Sequence, residues 1–256
     1  MTTGKATEMR AAKYAAIMAT NPDSDHRDIA SAVARTRLRI AAACIAAGRP
    51  AGAAALLAVT KTCAAENVRE AHAAGLRDFG ENQVQEALAK IDALADLRPG
   101  LAWHFIGPLQ SNKTRAVAER FDWVHSVDRL KLAERLSAQR PPGLAPLQVC
   151  LQVNISGEAT KSGLAPADAA AVAQAVAALP RLRLRGLMAV PAPAEGAVAQ
   201  RAPHRALREL LETLNGGGLA LDTLSIGMSA DLEAAIAEGA TIVRIGSAIF
   251  GARPAA

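Results

Sequence analysis

The chain has 256 residues, a formal net charge of +5 and an aromatic content of only 3%. This length suits one large barrel or two small domains, with a core built mainly from Ala, Val, Leu and Ile. The basic residues are scattered along the chain, which argues against nucleic-acid binding. No apolar run reaches the roughly 18 residues that a membrane-spanning helix needs. The three cysteines lack metal-ligand spacing and suit a reducing compartment, so we expect a cytoplasmic protein.

Residues 1–25 are predicted to form a loose or partly helical extension. They carry scattered charges and lack the strong apolar segment of a signal peptide. The turn-forming stretch at 21–25 separates them from a helix predicted from about residue 27 to 47. No linker divides the rest of the chain, so residues 26–256 are predicted to form one domain. We assign the extension no role.

Beyond this helix, strand-like runs alternate with helix-like runs. Such alternation is typical of βαβ units with parallel strands. Eight strands in a chain of this length favour a closed (β/α)8 TIM barrel, which usually has about 250 residues. An open doubly wound sheet is the alternative. The predicted strands lie within residues 56–61, 77–82, 103–107, 123–128, 147–155, 182–190, 223–229 and 241–251.

The first predicted strand, LLAVTK, ends on a lysine. Because alternate residues of a strand face the same side, Leu57, Val59 and Lys61 share a face. If Val59 points into the barrel, Lys61 lies at the mouth, where this fold carries its chemistry. Apolar surroundings lower an amine pKa from about 10.4, and a value near 7–8 suits a Schiff-base nucleophile. A lysine that extends into solvent or forms an ion pair is the alternative.

The last two predicted strands carry features of a phosphate site. SIGMS turns into a helix at Ser229, and RIGS places Gly246 beside Ser247. Glycine lets a ligand approach the backbone, and exposed N–H groups and hydroxyls suit phosphate. The loops after strands 7 and 8 are the usual phosphate site of this barrel. Alternatively, Gly246 serves packing and the serines cap helices. With a lysine on the opposite wall, these features predict a site for a phosphorylated aldehyde.

Arg244 is predicted to face the same ligand. It shares a strand face with Gly246, two residues later. An arginine keeps its proton, so next to a pyridine nitrogen it would leave that nitrogen unprotonated and make the ring a poorer electron sink. An arginine in a salt bridge at the bottom of the barrel is the alternative.

The fifth predicted strand alternates polar and apolar residues. The apolar face should pack against helices, so the polar face is predicted to point into the barrel. Asn154 would then lie at the mouth, able to bond a ligand ring or to orient Lys61. A register slip of one residue would reverse this assignment. The polar face consists of Gln148, Cys150, Gln152 and Asn154.

Seven motifs along most of the chain carry a family resemblance. The chain resembles the YggS/PROSC-type pyridoxal phosphate homeostasis family, whose fold is similar to the barrel domain of alanine racemase without that enzyme's second domain. The resemblance implies a single barrel that binds pyridoxal 5′-phosphate through an imine with Lys61. The motifs are AVTKT, FGENQVQEA, WHFIGPLQSNK, NIS followed by KSG, RGLMAVPAP, SIGMSADLEAAI and VRIGSAIFG, in order between about Leu56 and Pro254. The cofactor-pocket positions that they imply are Asn82, Met188, Ser225, Met228, Ser229, Arg244, Gly246 and Ser247.

The resemblance also implies a role in vitamin B6 and amino-acid homeostasis without robust turnover. Two positions depart from the family pattern. Cys63 stands where members often carry Lys or Pro, which puts a second-amine role there in doubt, and Thr60 replaces a frequent Ser. The implied partners are pyridoxal phosphate and apo forms of pyridoxal phosphate enzymes, and we expect a monomer.

Acid–base residues bear on whether the chain is an enzyme. A racemase needs such groups on both faces of the carbon that it deprotonates. The single tyrosine, Tyr14, lies in the extension. The other candidates are predicted to serve structure: His104 and His125 as hydrogen-bonded core residues, His26, His72 and His204 as solvated residues, Glu81 as a cap or ion pair, and Lys161 as a loop lysine able to reach an aldehyde.

Three functions therefore stay open. The first is a protein that holds, buffers or hands over pyridoxal phosphate. The second is a weak pyridoxal phosphate-dependent amino-acid racemase. The third is a Schiff-base aldolase-type barrel without a bound cofactor. The first is our prediction, because the acid–base candidates are weak.

Overall fold

The computed structural model describes residues 28–158 and 161–251. The extension predicted at residues 1–25, with Tyr14, lies outside these ranges, as does His26. The strands are β1 (Ala55–Val59), β2 (Asp78–Glu81), β3 (Ala102–Phe105), β4 (Trp123–Val127), β5 (Leu147–Gln152), β6 (Leu182–Met188), β7 (Thr223–Ser225) and β8 (Ile242–Ile245). The helices are α1 (Ile29–Ala46), α2 (Ala65–Ala73), α3 (Val84–Ala93), α4 (Thr114–Arg120), α5 (Leu130–Gln139), α6 (Ala169–Ala177), α7 (Ala197–Gly216), α8 (Leu232–Ala237) and α9 (Ser247–Phe250).

The eight strands form a closed barrel in chain order. Every neighbouring pair is parallel, and β8 closes the barrel by pairing with β1, where Leu57 lies opposite Arg244. The predicted closed (β/α)8 barrel is confirmed, and the open doubly wound sheet is excluded. Parallel strands joined by helices bring all eight carboxyl ends to one rim.

The apolar core lies between the barrel and its helices. Leu56 and Ala58 of β1 belong to it, as do Val243 and Ile245 of β8. The alternate positions of these strands therefore face the barrel interior. Bulky aromatic residues fill part of the outer layer; for example, the rings of Phe79 and Trp103 lie 6.0 Å apart.

Helix α1 precedes the barrel and packs against α8 and α9. It begins where predicted, because the Asp28 carboxylate accepts hydrogen bonds from the N–H groups of Ala30 and Ser31, at 3.0 and 3.2 Å. Arg39 also forms a two-pronged ion pair with Glu233 of α8. The helix thus covers the outside of the barrel near the β8–β1 junction.

Strand β7 is shorter than its predicted segment. It ends at Ser225, and the chain then turns at Gly227, which has φ +91°. A Cβ atom there would lie 2.6 Å from the Cβ of Ala235, so only glycine fits this close approach of the loop to α8. Met228 and Ser229 consequently belong to a rim loop and not to the strand. Within the described residues, no helix is long and apolar enough to cross a membrane.

Candidate functional site

The predicted site residues lie at the carboxyl-terminal rim of the barrel or one layer beneath it. Lys61 follows β1 by two residues and is half-buried. Met188 and Ser225, both buried, end β6 and β7 and are paired across the sheet. Arg244 lies within β8, and the other predicted residues follow strand ends: Asn82 after β2, Asn154 after β5, Met228 and Ser229 after β7, and Gly246 and Ser247 after β8.

Buried polar groups hold the backbone just before Lys61. Thr60 is fully buried, and its hydroxyl donates a hydrogen bond to Glu81 Oε1 at 2.6 Å. The Lys90 ammonium donates to the carbonyl of Thr60 at 2.5 Å and to Glu81 Oε1 at 2.6 Å. These bonds join the end of β1 to β2 and α3, so the segment that presents Lys61 is fixed.

The backbone just after Lys61 is held from the same helix. Thr62 has φ +64°, an uncommon conformation for a β-branched residue. Its N–H donates to Glu86 Oε1 at 2.5 Å, and Glu86 is also ion-paired with Lys90 at 2.7 Å. The strained turn that aims Lys61 is thus stabilised by a carboxylate of α3.

The prediction of an ion pair for Glu81 is confirmed. Burial raises the pKa of this carboxyl, while Lys90 and the Thr60 hydroxyl oppose that rise. Lys90 and Glu86 are not among the site residues that the sequence motifs indicated. Their i,i+4 spacing in QVQEALAK was the available signal, but nothing local to that helix indicates that the pair turns inward toward β1.

Arg244 lies inside the barrel, 5% exposed. One terminal nitrogen donates to the carbonyl of Ser225 and, at 2.9 Å, to its hydroxyl; the other donates to the carbonyl of Ala189 at 2.9 Å. Burial lowers the pKa of the guanidinium to about 10, so it remains a cation at neutral pH. No carboxylate within the described residues forms an ion pair with it, so the alternative of a salt bridge at the barrel bottom is not observed.

Two carboxamide oxygens provide unpaired acceptors at the rim. The Oδ1 atoms of Asn82 and Asn154 are buried, and neither has a hydrogen-bond partner in the described part of the chain. A buried polar atom without a partner costs free energy, so such a position is suited to a polar ligand. The backbone of Gly107 packs directly against the backbone of Asn82. A Cβ atom on Gly107 would lie 2.1 Å from the Asn82 carbonyl oxygen, so only glycine fits there.

Asn154 also shapes the loop that follows β5. Its Nδ2 donates to the carbonyls of Glu158 and Lys161, at 2.8 and 3.3 Å. Lys161 in turn is ion-paired with Glu158 at 2.8 Å and donates to the Val190 carbonyl. The amide nitrogen of Asn154 therefore orders its own loop, and its oxygen is the atom suited to a ligand.

The predicted orientation of the fifth strand is confirmed. Val149 and Leu151 belong to the outer apolar core, which leaves the polar face inside. Cys150 is fully buried, and burial raises the pKa of its thiol to about 12. It therefore remains protonated at neutral pH and is not a nucleophile. Gln148 accepts a hydrogen bond from Arg185 at 2.9 Å.

One prediction about the histidines is wrong. His204 was expected in solvent, but it is only 1% exposed and its Nε2 lies 3.0 Å from Asp231 Oδ2. The other oxygen of Asp231 accepts from the Met228 N–H at 2.7 Å. Burial raises the pKa of Asp231, but these hydrogen bonds outweigh that effect and lower it. A carboxylate from a distant segment thus makes burial of His204 on α7 possible.

Of the remaining described histidines, His72 is half-buried, and His104 and His125 lie where they were expected. His104 and His125 are buried within the barrel and hydrogen-bonded to each other, which confirms their assignment as core residues. No group of His, Cys, Asp and Glu side chains suited to a metal ion occurs among the residues that the structure describes.

The chain matches the family described as alanine racemase, N-terminal domain, over residues 9–254. It is 65% identical over 225 residues to the pyridoxal phosphate homeostasis protein of Pseudomonas aeruginosa, covering 88% of this chain and 96% of that protein. The protein of the same name from Escherichia coli K12 is 54% identical over 227 residues, covering 88% and 97%.

Solved structures show the same likeness. PipY of Synechococcus elongatus, with pyridoxal phosphate bound, is 40% identical with a TM-score of 0.77, covering 87% of this chain and 100% of that one. Alanine racemase of Corynebacterium glutamicum is 20% identical with a TM-score of 0.65, covering 90% and 62%. At that identity the likeness to alanine racemase shows the fold alone.

Proposed function

The chain belongs to the alanine racemase N-terminal domain family and, within it, to the pyridoxal phosphate homeostasis proteins; from this premise we propose that it binds pyridoxal 5′-phosphate and acts in vitamin B6 and amino-acid homeostasis. The observation that carries the proposal is the pair formed by a half-buried Lys61 on a fixed turn and a buried Arg244 directed beneath the same rim. PipY, at 40% identity, was solved with this cofactor bound.

Lys61 is the amine that we assign to covalent attachment. Its nitrogen would hold the cofactor covalently through the aldehyde carbon. Covalent attachment uses the neutral form of this amine. The hydrogen bonds of Thr60 and Thr62 fix the backbone that carries Lys61 at the rim. When bound, pyridoxal phosphate supplies an electrophilic carbonyl and an electron-withdrawing ring.

Arg244 is assigned to the ring nitrogen. The guanidinium carries donors only, so it can hydrogen-bond an unprotonated pyridine nitrogen but does not give it a proton. A ring held in this form withdraws electrons weakly. This supports a protein that holds the cofactor rather than one that turns over amino acids.

The other rim residues are assigned to the rest of the cofactor. The buried side chain of Met188 would form part of the pocket floor. The unpaired oxygens of Asn82 and Asn154 would accept bonds from ring substituents. Ser229, Gly246 and Ser247, from the loops after β7 and β8, are assigned to the phosphate. Ser225 and Met228 are assigned to the cofactor pocket by motif.

A carrier function is supported further by the acid–base candidates. His104 and His125 are engaged with each other beneath the rim. The competing function is a weak amino-acid racemase, because alanine racemase has the same barrel fold. Incubation with single-enantiomer amino acids separates the two functions, because a carrier produces no steady formation of the opposite enantiomer.

We further propose that the protein acts in the cytoplasm as a monomer. Residues 26–256 would form the cofactor-binding domain, with residues 1–25 separate from it. Apo forms of pyridoxal phosphate enzymes are the proposed recipients of the cofactor. Lys161, a second amine at the rim, lies where it could take part in such a transfer.

Lys61→Ala is the direct test of the proposed function. After incubation with pyridoxal phosphate and borohydride, the wild-type protein should carry the reduced adduct on the peptide that contains Lys61, because reduction makes the attachment permanent. The variant should carry none, as measured by mass spectrometry of the digest. Lys161→Ala, which removes another rim amine, serves as the control and should keep the adduct. An adduct on a different lysine of Lys61→Ala would show that we chose the wrong amine.

A further inference from the structure

A line of hydrogen bonds crosses the barrel interior from the amino-terminal mouth to Arg244. The distance from Asp78 Oδ1 to His104 Nε2 is 3.1 Å, and from His104 Nδ1 to His125 Nε2 it is 2.9 Å. His125 Nδ1 lies 2.7 Å from the Ser225 hydroxyl, which accepts from Arg244 at 2.9 Å. We call these five residues the interior chain. They come from β2, β3, β4, β7 and β8.

The two ends of the interior chain determine its direction. Arg244 has donors only, so the Ser225 oxygen accepts and its hydroxyl hydrogen is left for His125 Nδ1. His125 then carries its hydrogen on Nε2 and donates to His104 Nδ1. His104 likewise carries its hydrogen on Nε2 and donates to the carboxylate of Asp78, which accepts only. In this arrangement each of the four hydrogen bonds has one donor and one acceptor, and both imidazoles are neutral.

The surroundings of the histidines support this assignment. Burial lowers the pKa of His125 well below its usual value, and the neighbouring His104 and Arg244 lower it further. The ring of Trp123 stacks on His104, with centroids 5.3 Å apart and an interplanar angle of 8°, which fixes the plane of the imidazole. A charged imidazole is therefore disfavoured in the middle of the interior chain.

The two ends lie in different environments. The Asp78 side chain is 42% exposed, beside a cavity of about 290 Å³ at the amino-terminal mouth that His104, Trp123 and Arg185 also line. The Arg244 end lies beneath the carboxyl-terminal rim, where the guanidinium donates to the Ala189 carbonyl at the end of β6. The interior chain thus links opposite mouths of the barrel through side chains.

We propose that His104 and His125 are positioning residues for Arg244, acting on the cofactor ring from the opposite side of the barrel. The Ser225 hydroxyl is the side-chain acceptor that aligns the guanidinium, and His125 decides which way that hydroxyl points. Without His104, the Nε2–H of His125 loses its acceptor and the order of the interior chain is lost. This inference rests on the proposed function, since Arg244 is assigned there to the ring nitrogen.

Two substitutions of His104 separate hydrogen bonding from packing. Leucine fills similar space but neither accepts nor donates. Glutamine can accept from His125 with its oxygen and donate to Asp78 with its nitrogen. We expect His104→Leu to weaken pyridoxal phosphate binding on the order of 10-fold, which corresponds to about 1.4 kcal/mol, and to shift the visible absorption band of the bound cofactor. His104→Gln should restore most of both properties.

The matched control is Asp222→Asn. Asp222 lines the same cavity but is paired with Arg185, outside the interior chain. Its substitution should change neither the affinity nor the band. Asp78→Ala breaks the interior chain at its exposed end without disturbing the core, and should shift the band in the same direction as His104→Leu. Affinities are measured by titration with pyridoxal phosphate, and bands by absorbance at saturation.

The outcomes distinguish this inference from the proposed function. A wild-type protein that takes up no pyridoxal phosphate would overturn both. Uptake by the wild type with unchanged affinity and band in His104→Leu would overturn the positioning role alone. Equal losses in His104→Leu and His104→Gln would also overturn it, since packing of the imidazole would then be the cause. If His104→Leu does not fold, the test rests on Asp78→Ala. A cofactor absorption band at the wild-type position in that variant would overturn the inference.

Discussion

At the residue scale, buried charge and buried polar groups define the interior of this barrel. Arg244 is a cation held by carbonyl and hydroxyl oxygens, and His125 is a fully buried imidazole two hydrogen bonds away. Such groups persist in an interior only when their donors and acceptors are satisfied. The residues that suit the cofactor therefore also set limits on the pH range over which the fold is stable.

His125 should make the folded state sensitive to acid. Its folded pKa lies well below the value of about 6.5 expected in the unfolded chain, so the unfolded state binds a proton more readily. Stability should therefore be fully present above about pH 6.5 and fall as the pH drops below it, by at most about 1.4 kcal/mol per pH unit. Urea unfolding between pH 7.5 and 5.5 should show this slope in the wild type and a smaller slope in His125→Gln. Equal slopes would contradict the assignment.

At the element scale, the turn after β1 depends on helix α3. Glu86 and Lys90 occupy one face of that helix, and together they bind the backbone on both sides of Lys61. Helix α3 thus supplies two hydrogen-bond partners to the turn. One is an acceptor for the N–H of Thr62, and the other is a donor for the carbonyl of Thr60. The orientation of the proposed reactive lysine is a property of the β1–α3 contact.

Glu86→Ala should expose this dependence. The N–H of Thr62 would lose its acceptor at a positive φ, and Lys90 would lose one of its two carboxylates. We expect a decrease of about 1–3 kcal/mol in the free energy of unfolding and slower attachment of pyridoxal phosphate at Lys61. Urea unfolding and borohydride trapping over time provide the two measurements. Gln85→Ala, at an exposed neighbouring position on α3, should behave as the wild type; similar values for both variants would disprove the dependence.

At the scale of the whole molecule, the proposed cofactor joins neighbouring positions of one rim. Because β1 pairs directly with β8, the prediction that the lysine lies on the wall opposite the phosphate loops is wrong. The pairing of β8 with β1 closes the barrel. Lys61 follows β1, and the loops that we assign to the phosphate follow β7 and β8. A ligand bound to both should stabilise the closed barrel as a unit, because it binds the folded state and not the separated segments of the unfolded chain.

Pyridoxal phosphate should therefore raise the free energy of unfolding of the entire barrel. At a concentration of 100 times the dissociation constant, the increase should be about 2.7 kcal/mol. Thermal or urea unfolding measures it in a single transition. Inorganic phosphate at the same concentration serves as the control and should give a much smaller increase, since it lacks the aldehyde for Lys61. Equal stabilisation by both would count against attachment through the lysine.

The amino-acid sequence predicts the order of the elements and the faces of the strands, and it favours the closed barrel over an open sheet. These features follow from local periodicity: alternation in LLAVTK and QVCLQVNI decides which side chains point inward, and parallel strands then place Lys61 and Arg244 at one end. The family motifs added the proposed cofactor residues. None of these conclusions requires a contact between distant segments to be known in advance.

The partners of the buried polar groups are known only from the three-dimensional fold. The burial of His204 depends on Asp231, the orientation of Lys61 on Glu86 and Lys90, and the interior chain on residues from five strands. Each partner lies far along the chain or on an element whose rotation the sequence leaves open. Hydrogen bonds act over about 3 Å, whereas sequence patterns report only which face of an element is apolar. The hydrogen-bond partners of the buried polar groups can therefore be identified only from the three-dimensional structure.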